Sequence, residues 1–382
     1  MDRKQDISDE LLLQVKELIN NKKLLELREL MEEYHIMDIL DIIEEVEDDE
    51  KIKIFEVLPL DMAASVLEEM DSEFFKMIIE EIDVEHTKNI LKMMSHDDMV
   101  DIINLLEPEE QEKVLELLSE EDADDVKELL GYEEDSSGGT MTTGYIYVNE
   151  DMTAVEAINH IRNEAKEAET IYYIYVVDNK EKLVGVLSLK ELIVARDNCI
   201  IKDLMSENIV SVYVDEDREE AVRLVSKYNL VCIPVIDREG VLKGIITIDD
   251  IIDVIEEEAT EDMYKIAGSS EYERSGSEQE KTSFFEQLIS SVRGRIIWLL
   301  MSAIGGIIAS WIMYKLELNT DNSLLPILFF VPLVIGLAGD SGTQANSVTV
   351  INLSANKKSE YNLILREFLV GLINGVICGV FS

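Results

Sequence analysis

The sequence predicts a multidomain chain: an all-α solenoid, a tandem α/β repeat, a connecting helix and an incomplete α-helical transmembrane domain. Three observations lead to this prediction. Residues 59–130 repeat every twelve residues, residues 176–193 align without a gap on residues 235–252, and residues 296–314 contain no charged residue. These patterns are typical of stacked short helices, of a duplicated strand-rich fold and of a membrane span.

The first part, residues 1–135, is predicted to be an acidic helical solenoid. Its repeat reads PLDMAASVLEEM, DSEFFKMIIEEI, DVEHTKNILKMM, SHDDMVDIINLL, EPEEQEKVLELL and SEEDADDVKELL. Each unit opens on a proline or a helix-capping residue, and Ser95 with Asp98 and Ser119 with Asp122 resemble capping boxes. Twelve residues hold about two to three helical turns and a corner. Helices this short are not stable alone, so they are predicted to stack on one another.

The second part follows the stretch GYEEDSSGGTMTTG, residues 131–144, which is predicted to be a linker. VVDNKEKLVGVLSLKELI aligns on VIDREGVLKGIITIDDII, and each reads as strand, turn, strand and the start of a helix. Upstream, MTTGYIYVNEDMTAVEA and MSENIVSVYVDEDREEA form another matched pair. A β-α-β-β-α unit used twice resembles a pair of CBS domains, a small regulatory module, here over residues 136–202 and 203–258.

The third part, residues 293–382, is predicted to be a transmembrane domain that follows a connecting helix over residues 259–292. The uncharged stretch IIWLLMSAIGGIIASWIMY is long enough to span a membrane. Trp298 and Trp311 lie toward its two ends, where interfacial rings prefer to lie.

Two further spans and an orientation are predicted from the same region. Residues 323–338 form the second span, and residues 367–382 begin the third. Basic residues precede the first span and follow the second, whereas the loop KLELNTDNS between them has one lysine, so the large N-terminal part is predicted to be cytoplasmic. The sequence stops inside the third span, at GVFS, and is interpreted as a truncated membrane protein. The basic residues are Arg293, Arg295, Lys357, Lys358 and Arg366.

The composition excludes several classes of function. With 81 acidic and 34 basic residues the formal net charge is −47, which argues against nucleic acid as a main partner. Such a surface attracts cations or basic proteins, although most of the carboxylates are expected only to solubilise the chain. The three cysteines and four histidines show no metal-binding spacing. No Ser/His, Cys/His or phosphate-loop set is present, so an enzyme is not predicted. The N-terminus, MDRKQDISDE, has no signal-peptide pattern.

The order of these parts and four motifs resemble the MgtE family of magnesium channels. The motifs are YEEDSSGGTM (132–141), EATED (258–262), RIIWL (295–299) and PLVIGLAGDSGTQ (332–344). The last resembles the family's G-G-N-x-G-x-Q, with Ala338 in place of the first glycine and an aspartate in place of asparagine. The resemblance implies a homodimeric, magnesium-selective, multi-pass channel of the bacterial inner membrane, which its cytosolic domains close when magnesium is plentiful.

The resemblance also implies that this chain does not conduct as given. The family has five membrane helices, and the fourth and fifth, which carry the aspartate of the central ion site, are absent from the sequence. A dimer that inserts into the membrane but passes no magnesium is therefore expected.

The stretch GLAGDSGTQANS, residues 336–347, is the candidate ion pathway. Magnesium prefers octahedral oxygen ligands, and the side chains here supply oxygen, while the glycines are expected to free backbone carbonyls. The residues alone fit equally well a helix end that leaves the membrane with small residues for packing. The resemblance favours the ion pathway and implies these residues: Gly339, Asp340, Gly342, Gln344 and Asn346.

Acidic residues form the candidate magnesium sensor. Residues 249–262 hold eight acids and no base, more than interaction with a helix dipole requires. Two carboxylates about 4 Å apart repel by about 4 kcal/mol at an effective dielectric near 20, which favours a divalent ion between them. One position departs from the family, because Asn229 stands where it can have a ligand aspartate. The resemblance implies these cytosolic magnesium ligands: Asp97, Asp98, Asp101, Asp217, Glu219, Asp250, Asp253, Glu258, Glu261 and Asp262.

An adenine nucleotide such as ATP is a secondary ligand of the predicted CBS pair. Thr247 and Asp250 match the pattern in which a hydroxyl and an acid hold ribose and phosphate, whereas the first copy, Ser188 to Glu191, is degenerate. Two alternatives to a magnesium channel remain: a membrane-anchored CBS nucleotide sensor, and a channel for cobalt or manganese. A nucleotide sensor whose spans only anchor it in the membrane does not need the polar sequence GDSGTQAN in its second span.

Overall fold

The computed structural model describes residues 2–70, 72–165, 168–266, 284–316, 330–354 and 360–381. The chain forms two compact units, residues 1–252 and residues 253–382. Each unit is described by itself.

The first unit opens with ten short helices. From Ile36 onward the helices begin twelve residues apart. Within residues 59–130 each helix begins at the second residue of its sequence unit, so the predicted solenoid is confirmed. The helices are α1 (Asp2–Asn20), α2 (Leu24–Met31), α3 (Ile36–Glu45), α4 (Asp48–Val57), α5 (Leu60–Glu68), α6 (Ser72–Glu81), α7 (Val84–Leu91), α8 (His96–Asn104), α9 (Pro108–Leu117) and α10 (Glu120–Leu129).

The predicted caps start two of these helices. Ser95 Oγ accepts from the backbone N–H of Asp98 at 3.4 Å and donates to the Asp98 carboxylate. Ser119 Oγ likewise accepts from the backbone N–H of Asp122 at 3.2 Å and donates to the Asp122 carboxylate. The last residue of each unit is apolar and buried or half-buried, and α5 packs on α7, α7 on α9 and α8 on α10. Capping fixes where each helix begins, and stacking supplies the stability that single helices of eight to ten residues lack.

The remainder of the first unit is the tandem α/β repeat. Two three-stranded sheets have the orders β1-β2-β3 and β4-β5-β6, in which the first pair is parallel and the second antiparallel. The elements are β1 (Tyr147–Asn149), α11 (Ala154–Glu164), β2 (Tyr173–Val177), β3 (Leu183–Ser188), α12 (Leu189–Val194), α13 (Ile201–Leu204), β4 (Val212–Tyr213), α14 (Arg218–Tyr228), β5 (Cys232–Ile236), β6 (Leu242–Thr247) and α15 (Ile248–Ile266).

The two sheets have the same register. Val176 pairs with Gly185 in the first sheet, and Val235 pairs with Gly244 in the second. These four positions are matched by the gap-free alignment of the two sequence copies. The duplicated fold predicted from that alignment is therefore confirmed, although α15 runs eight residues past the predicted boundary at 258.

The segment before the first strand of each copy pairs with the sheet of the other copy. Thr142, before β1, exchanges backbone hydrogen bonds with Ile245 of β6, and Ser206, before β4, does so with Val186 of β3. Gly244 makes room for the first crossing, because a Cβ there would lie 2.6 Å from the carbonyl oxygen of Thr142. The predicted linker is thus packed against the second copy. We call residues 136–143 the strap.

The second unit contains the end of α15 and three long helices, α16 (Phe284–Leu316), α17 (Val331–Ser354) and α18 (Glu360–Phe381). Both α17 and α18 pack on α16, and α17 approaches closely where Gly306 of α16 faces Leu333. Among the described residues one segment, Leu288–Lys315, is long and apolar enough to cross a membrane, and it contains the predicted first span. The second predicted span begins outside the described residues, so the number of spans stays a prediction.

Three other sequence-based expectations fall partly or wholly outside the described residues. They are the middle of the connecting helix, the loop KLELNTDNS and the basic pair Lys357 and Lys358.

Candidate metal centre

Carboxylates from three segments of the first unit meet where the solenoid faces the second α/β copy. The first turn of α8 carries Asp97 and Asp98, the first turn of α15 carries Asp249 and Asp250, and Glu169 lies in the loop before β2. The charges of Asp98, Glu169, Asp249 and Asp250 each raise the pKa of at least one other carboxyl of the group. We call these five residues the acid cluster.

Asp97 is the most buried member of the acid cluster. The residue is 8% exposed, and its Oδ1 has no hydrogen-bond partner among the described residues. Burial raises the pKa of Asp97 well above its ordinary value, and the charges of Glu169, Asp250 and Asp98 raise it further. A buried carboxylate in this position needs a proton or a cation to offset its charge.

Asp250 lies at the start of α15, close enough for its charge to act on Asp97. Its Oδ2 accepts the backbone N–H of Thr247 at 3.1 Å and the Thr247 hydroxyl. These bonds lower the pKa, but burial prevails and raises the pKa of Asp250 to about 6. Burial likewise raises the pKa of Asp98, with a contribution from the charge of Asp249.

Three acids of this region were not among the predicted ligands: Asp249, Glu169 and Glu68. Partial desolvation and the charge of Asp250 raise the pKa of Glu169 to about 7, although the residue stays largely exposed. Burial and the charge of Asp98 raise the pKa of Glu68, at the end of α5, to about 7, and its Oε1 accepts the N–H of Ser95 at 3.2 Å. Neither Glu68 nor Glu169 has a distinguishing spacing in the sequence, and glutamate also stands at the position of Glu68 in three other solenoid units.

Basic residues hold the two domains together beside the acid cluster. Lys243 of β6 pairs with Glu128 of α10 at 2.7 Å, and Arg218 of α14 lies 3.5 Å from Asp135. His96 contacts the Thr143 hydroxyl of the strap and lies within 4 Å of a carboxylate oxygen of Asp122 and of Asp125. Attraction at the edges therefore places the solenoid where its acids oppose those of α15.

The structure gives other predicted ligands helix-capping roles. Asp217 is the N-cap of α14 and accepts the N–H of Glu219 at 2.9 Å, and both residues are exposed. Asn229 ends the same helix in the left-handed conformation, with φ 51° and ψ 51°, a backbone state that asparagine and aspartate tolerate better than most residues. Asp101 is exposed on α8. A metal-binding role for these residues stays a prediction.

The remaining predicted ligands lie along α15 in the second unit. Asp253 and Asp262 are exposed, Glu258 is half-buried, and the buried Glu261 pairs with Lys265 just beyond the acidic run. Among the described residues of one chain, no three carboxylates, histidines or cysteines are already arranged to hold a metal ion.

The candidate nucleotide pair has a structural use as well. Thr247 is 5% exposed, and its hydroxyl donates to Asp250 at the start of α15. Ser188 donates to Glu191 at 2.7 Å at the start of α12. Both copies therefore form the same capping arrangement.

The candidate ion pathway differs from the expectation in its backbone. Residues 336–347 lie inside the continuous helix α17, so the expectation that the glycines free backbone carbonyls is wrong, and so is the alternative of a helix end. The carbonyl oxygens of Gly339 and Ala345 also accept the hydroxyls of Thr343 and Thr349, at 3.0 and 2.6 Å. Only side chains can offer oxygen here.

Helical geometry divides the predicted pathway residues between two faces. Asp340 and Gln344 are one turn apart, and Gln344 is 5% exposed while Asp340 is half-buried. Gly339, Gly342 and Asn346 lie on another face and are exposed. The two sets do not line one surface of the helix.

Comparisons with known proteins find similarity over the N-terminal two thirds of the chain. The family model for the MgtE intracellular N domain matches residues 34–135, and the CBS domain model matches residues 138–198 and 201–257. The magnesium transporter MgtE of Thermus thermophilus is 37% identical over 248 residues, which are 64% of this chain and 53% of that protein. The MgtE of Enterococcus faecalis is 36% identical over 253 residues, 65% of this chain and 53% of that protein.

Two solved structures resemble about two thirds of the chain. One is the cytosolic domain of the Mg²⁺ channel MgtE in complex with ATP, with a TM-score of 0.61 and 36% identity over 64% of this chain and 99% of that one. The other is the soluble part of a magnesium transporter, with the same TM-score and 34% identity over 66% of this chain and 99% of that one. The chain spans about half the length of the curated relatives it matches.

Proposed function

Because the chain belongs to the MgtE family, we propose that it forms part of a magnesium channel of the cell membrane that its own cytosolic domains close when magnesium is abundant. The observation that supports the gating most directly is the acid cluster. It places buried carboxylates of the solenoid opposite those of α15, and Asp97 has an oxygen without a partner.

The acid cluster can act as a sensor because its charge makes docking unfavourable unless a cation is present. Without a divalent ion the carboxylates of α8 and α15 repel one another, by up to about 4 kcal/mol for a pair 4 Å apart at an effective dielectric of 20. Magnesium, with its preference for carboxylate oxygens and retained waters, would offset that repulsion. We propose Asp97, Asp98 and Asp250 as ligands or as acceptors from magnesium-bound water.

The strap provides the tether that such an opening and closing movement requires. It joins the solenoid to the second copy through hydrogen bonds at Ser137, Gly138 and Thr142, so the two domains stay tethered when the acid cluster opens. Rotation about the tether would separate α8 from α15 without unfolding either domain. A ligand shifts such an equilibrium only by its differential affinity for the two states.

Helix α15 links the sensor to the candidate ion pathway. It begins at the acid cluster, and in the second unit its Tyr264, 3% exposed, packs against Val348 and Ile351 of α17. The carboxylates Asp253, Glu258 and Asp262 lie on the helix in between, and we propose them as further weak magnesium sites. Several weak sites together can shift the equilibrium between open and closed states further than one weak site can.

The ion itself is proposed to meet the side chains of α17. Asp340 and Gln344 offer oxygen from one face, and Asn346 offers it from another. In a homodimer, which we propose on the strength of the family, two copies of α17 would contribute their oxygens around one axis. The domain boundaries at residues 135, 202, 258 and 292 are part of the same proposal.

The proposal is tested by magnesium flux in cells that carry the complete gene and lack other uptake systems. Asp97→Asn with Asp250→Asn should leave flux intact but remove its inhibition by cytosolic magnesium. Asp124→Asn, on the exposed side of α10, is the matched control and should retain the inhibition. No flux from the wild-type gene would overturn the channel, and unchanged inhibition in the double variant would overturn the sensor.

Adenine-nucleotide binding is the second candidate function. It is favoured by the ATP complex of the similar cytosolic domain, with which this chain shares 36% identity. Titration calorimetry with ATP and GTP tests it, and Thr247→Val should weaken ATP binding at least tenfold if the hydroxyl holds the ribose. Equal affinity in that variant would exclude Thr247 from the nucleotide site.

Two further measurements separate the alternatives. A nucleotide sensor that is merely anchored would bind ATP and pass no cation. A channel for cobalt or manganese would show flux of those ions that magnesium does not compete away.

A further inference from the structure

Two ion pairs join the solenoid to the second α/β copy. Arg218 Nη2 lies 3.5 Å from a carboxylate oxygen of Asp135, directly before the strap, so this pair belongs to the tether. Lys243 of β6 donates to Glu128 Oε1 of α10 at 2.7 Å, and the Tyr132 hydroxyl donates to the same oxygen at 3.3 Å. The Lys243–Glu128 pair is therefore a contact between the two domains that lies outside the strap.

The same two layers carry the acid cluster at a separate place. On the solenoid side, Glu128 lies on α10, which packs on α8 with its Asp97. On the other side, β6 runs on from Lys243 to Thr247, where α15 begins with its Asp250. Four residues of strand span about 13 Å, which exceeds the Debye length of about 8 Å at physiological ionic strength. The charges at the two places therefore act largely independently of each other.

The surroundings of Lys243 agree with this separation. The hydrogen bond to Glu128 raises the pKa of Lys243, partial burial lowers it, and the charges of Glu128, Tyr132 and Asp237 raise it further. None of these residues belongs to the acid cluster. The two side chains are 30% and 48% exposed, and exposed pairs of this kind change an equilibrium constant by about 1.5- to 5-fold. The pair can thus adjust docking of the solenoid but cannot replace a cation at the acid cluster.

We propose that Lys243 is a positioning residue that sets the magnesium concentration at which the solenoid docks. Its attraction to Glu128 is present with and without magnesium, so it favours the docked state by a constant factor. Magnesium has to supply only the remainder, through its differential affinity for the docked state. Loss of Lys243 should therefore move the midpoint of docking to higher magnesium without changing the steepness of the transition, which reflects the ions bound by the acid cluster. The inference rests on the proposed function, because it assigns a threshold to the same sensor.

Double electron–electron resonance on the full chain tests the proposal. Spin labels at Asn104→Cys of α8 and Ile252→Cys of α15, with Cys199→Ser, report docking during a magnesium titration. Lys243→Glu replaces the attraction by repulsion and should lower the docking equilibrium constant about tenfold. At the magnesium concentration that docks half of the wild-type molecules, about one tenth of the variant should be docked. At saturating magnesium the variant should reach the short wild-type distance, which shows that it folds and docks.

A matched control and an exchange of charges separate the ion pair from other effects. Lys202 pairs with Glu150 at the same 2.7 Å within the first copy, so Lys202→Glu makes the same change in net charge and should leave about half of the molecules docked. Lys243→Glu combined with Glu128→Lys restores opposite charges and should return the docking constant to within about twofold of wild type. A loss caused by altered packing would persist in that double variant.

The outcomes distinguish this inference from the sensor itself. Equal docking in Lys243→Glu and Lys202→Glu, in a wild type that responds to magnesium, would overturn the role of Lys243 and leave the sensor intact. A changed steepness in Lys243→Glu would contradict its independence from the acid cluster. Failure of the charge exchange to restore docking would show that the ion pair is not the cause. A wild type that does not respond to magnesium would overturn the sensor, and this inference with it.

Discussion

Asp97 is the most buried residue of the acid cluster, and the charges of three neighbouring acids raise its pKa. We expect Asp97→Asn to stabilise the magnesium-free first unit, because the variant removes a buried charge with an unpartnered oxygen. A gain of about 1–3 kcal/mol is the scale of such a buried group. Thermal unfolding in the presence of a chelator measures it, with Asp124→Asn as the exposed control. Lower stability in Asp97→Asn would mean that the carboxylate has a stabilising partner.

The raised pKa values of four acids predict a pH dependence. Asp97, Asp250, Glu68 and Glu169 all have pKa values above their ordinary ones, near 6 to 7 for the last three. The folded protein therefore binds more protons than the unfolded chain at pH values between the ordinary and the raised pKa. Stability without magnesium should rise as the pH falls from 8 to 5, because protonation removes repulsion.

Unfolding measured at pH 8, 7, 6 and 5 with a chelator checks this sign. Neutralising Asp97, Asp250 and Glu169 together should flatten the slope. A stability that falls steadily on acidification over this range would contradict the raised values.

The residues of the acid cluster show what spacing can and cannot predict. Asp97, Asp98 and Asp250 were predicted through the resemblance to a family, and the structure brings them together. Glu169 of the cluster and the neighbouring Glu68 were not predicted, because they approach its other acids only through packing between segments that are distant in the sequence. Periodicity carries no information about such contacts.

At the scale of elements, the strap should be sensitive to one glycine. A Cβ at Gly244 would lie 2.6 Å from the carbonyl oxygen of Thr142, which is backbone and can move only with the strap. Gly244→Ala should destabilise the first unit by about 1–3 kcal/mol, the usual cost of overpacking. Gly185, its counterpart in the first copy, faces the side chain of Met205, so Gly185→Ala should cost less. Thermal unfolding of both variants compares them, and equal losses would mean that the strap yields freely.

Helix α15 should transmit the state of the sensor through Tyr264. Tyr264→Ala removes the contact with Val348 and Ile351, so magnesium should still compact the cytosolic part while losing its ability to close the channel. Compaction by limited proteolysis and flux in cells are measured on the same variant. Normal closure in Tyr264→Ala would show that coupling follows another route.

Elements were predictable to different degrees for physical reasons. Caps and prolines mark the helix starts of the solenoid, and a duplicated sequence fixes a duplicated register, so both were found correctly. The glycines of residues 336–347 misled the prediction, because glycine is compatible with a break and also with close packing inside a continuous helix. Only neighbouring helices decide between these outcomes.

At the scale of the whole molecule, the candidate pathway on α17 should depend on an oxygen at position 340. Asp340→Ala should reduce magnesium flux from the complete gene, while cytosolic magnesium binding is unchanged. Asp340→Asn restores the residue of the family motif and keeps an oxygen, so it should retain flux. Equal flux in all three proteins would leave α17 with a packing role.

The account depends most on magnesium drawing α8 and α15 together. Spin labels at Asn104→Cys and Ile252→Cys, both exposed positions, report this distance in the full chain by double electron–electron resonance once Cys199 is replaced by serine. We expect a broad distribution without magnesium and a single short distance at millimolar magnesium. The transition should be absent from Asp97→Asn with Asp250→Asn and present in Asp124→Asn. A distance that does not respond to magnesium in the wild type, or that responds equally in the double variant, would contradict the account.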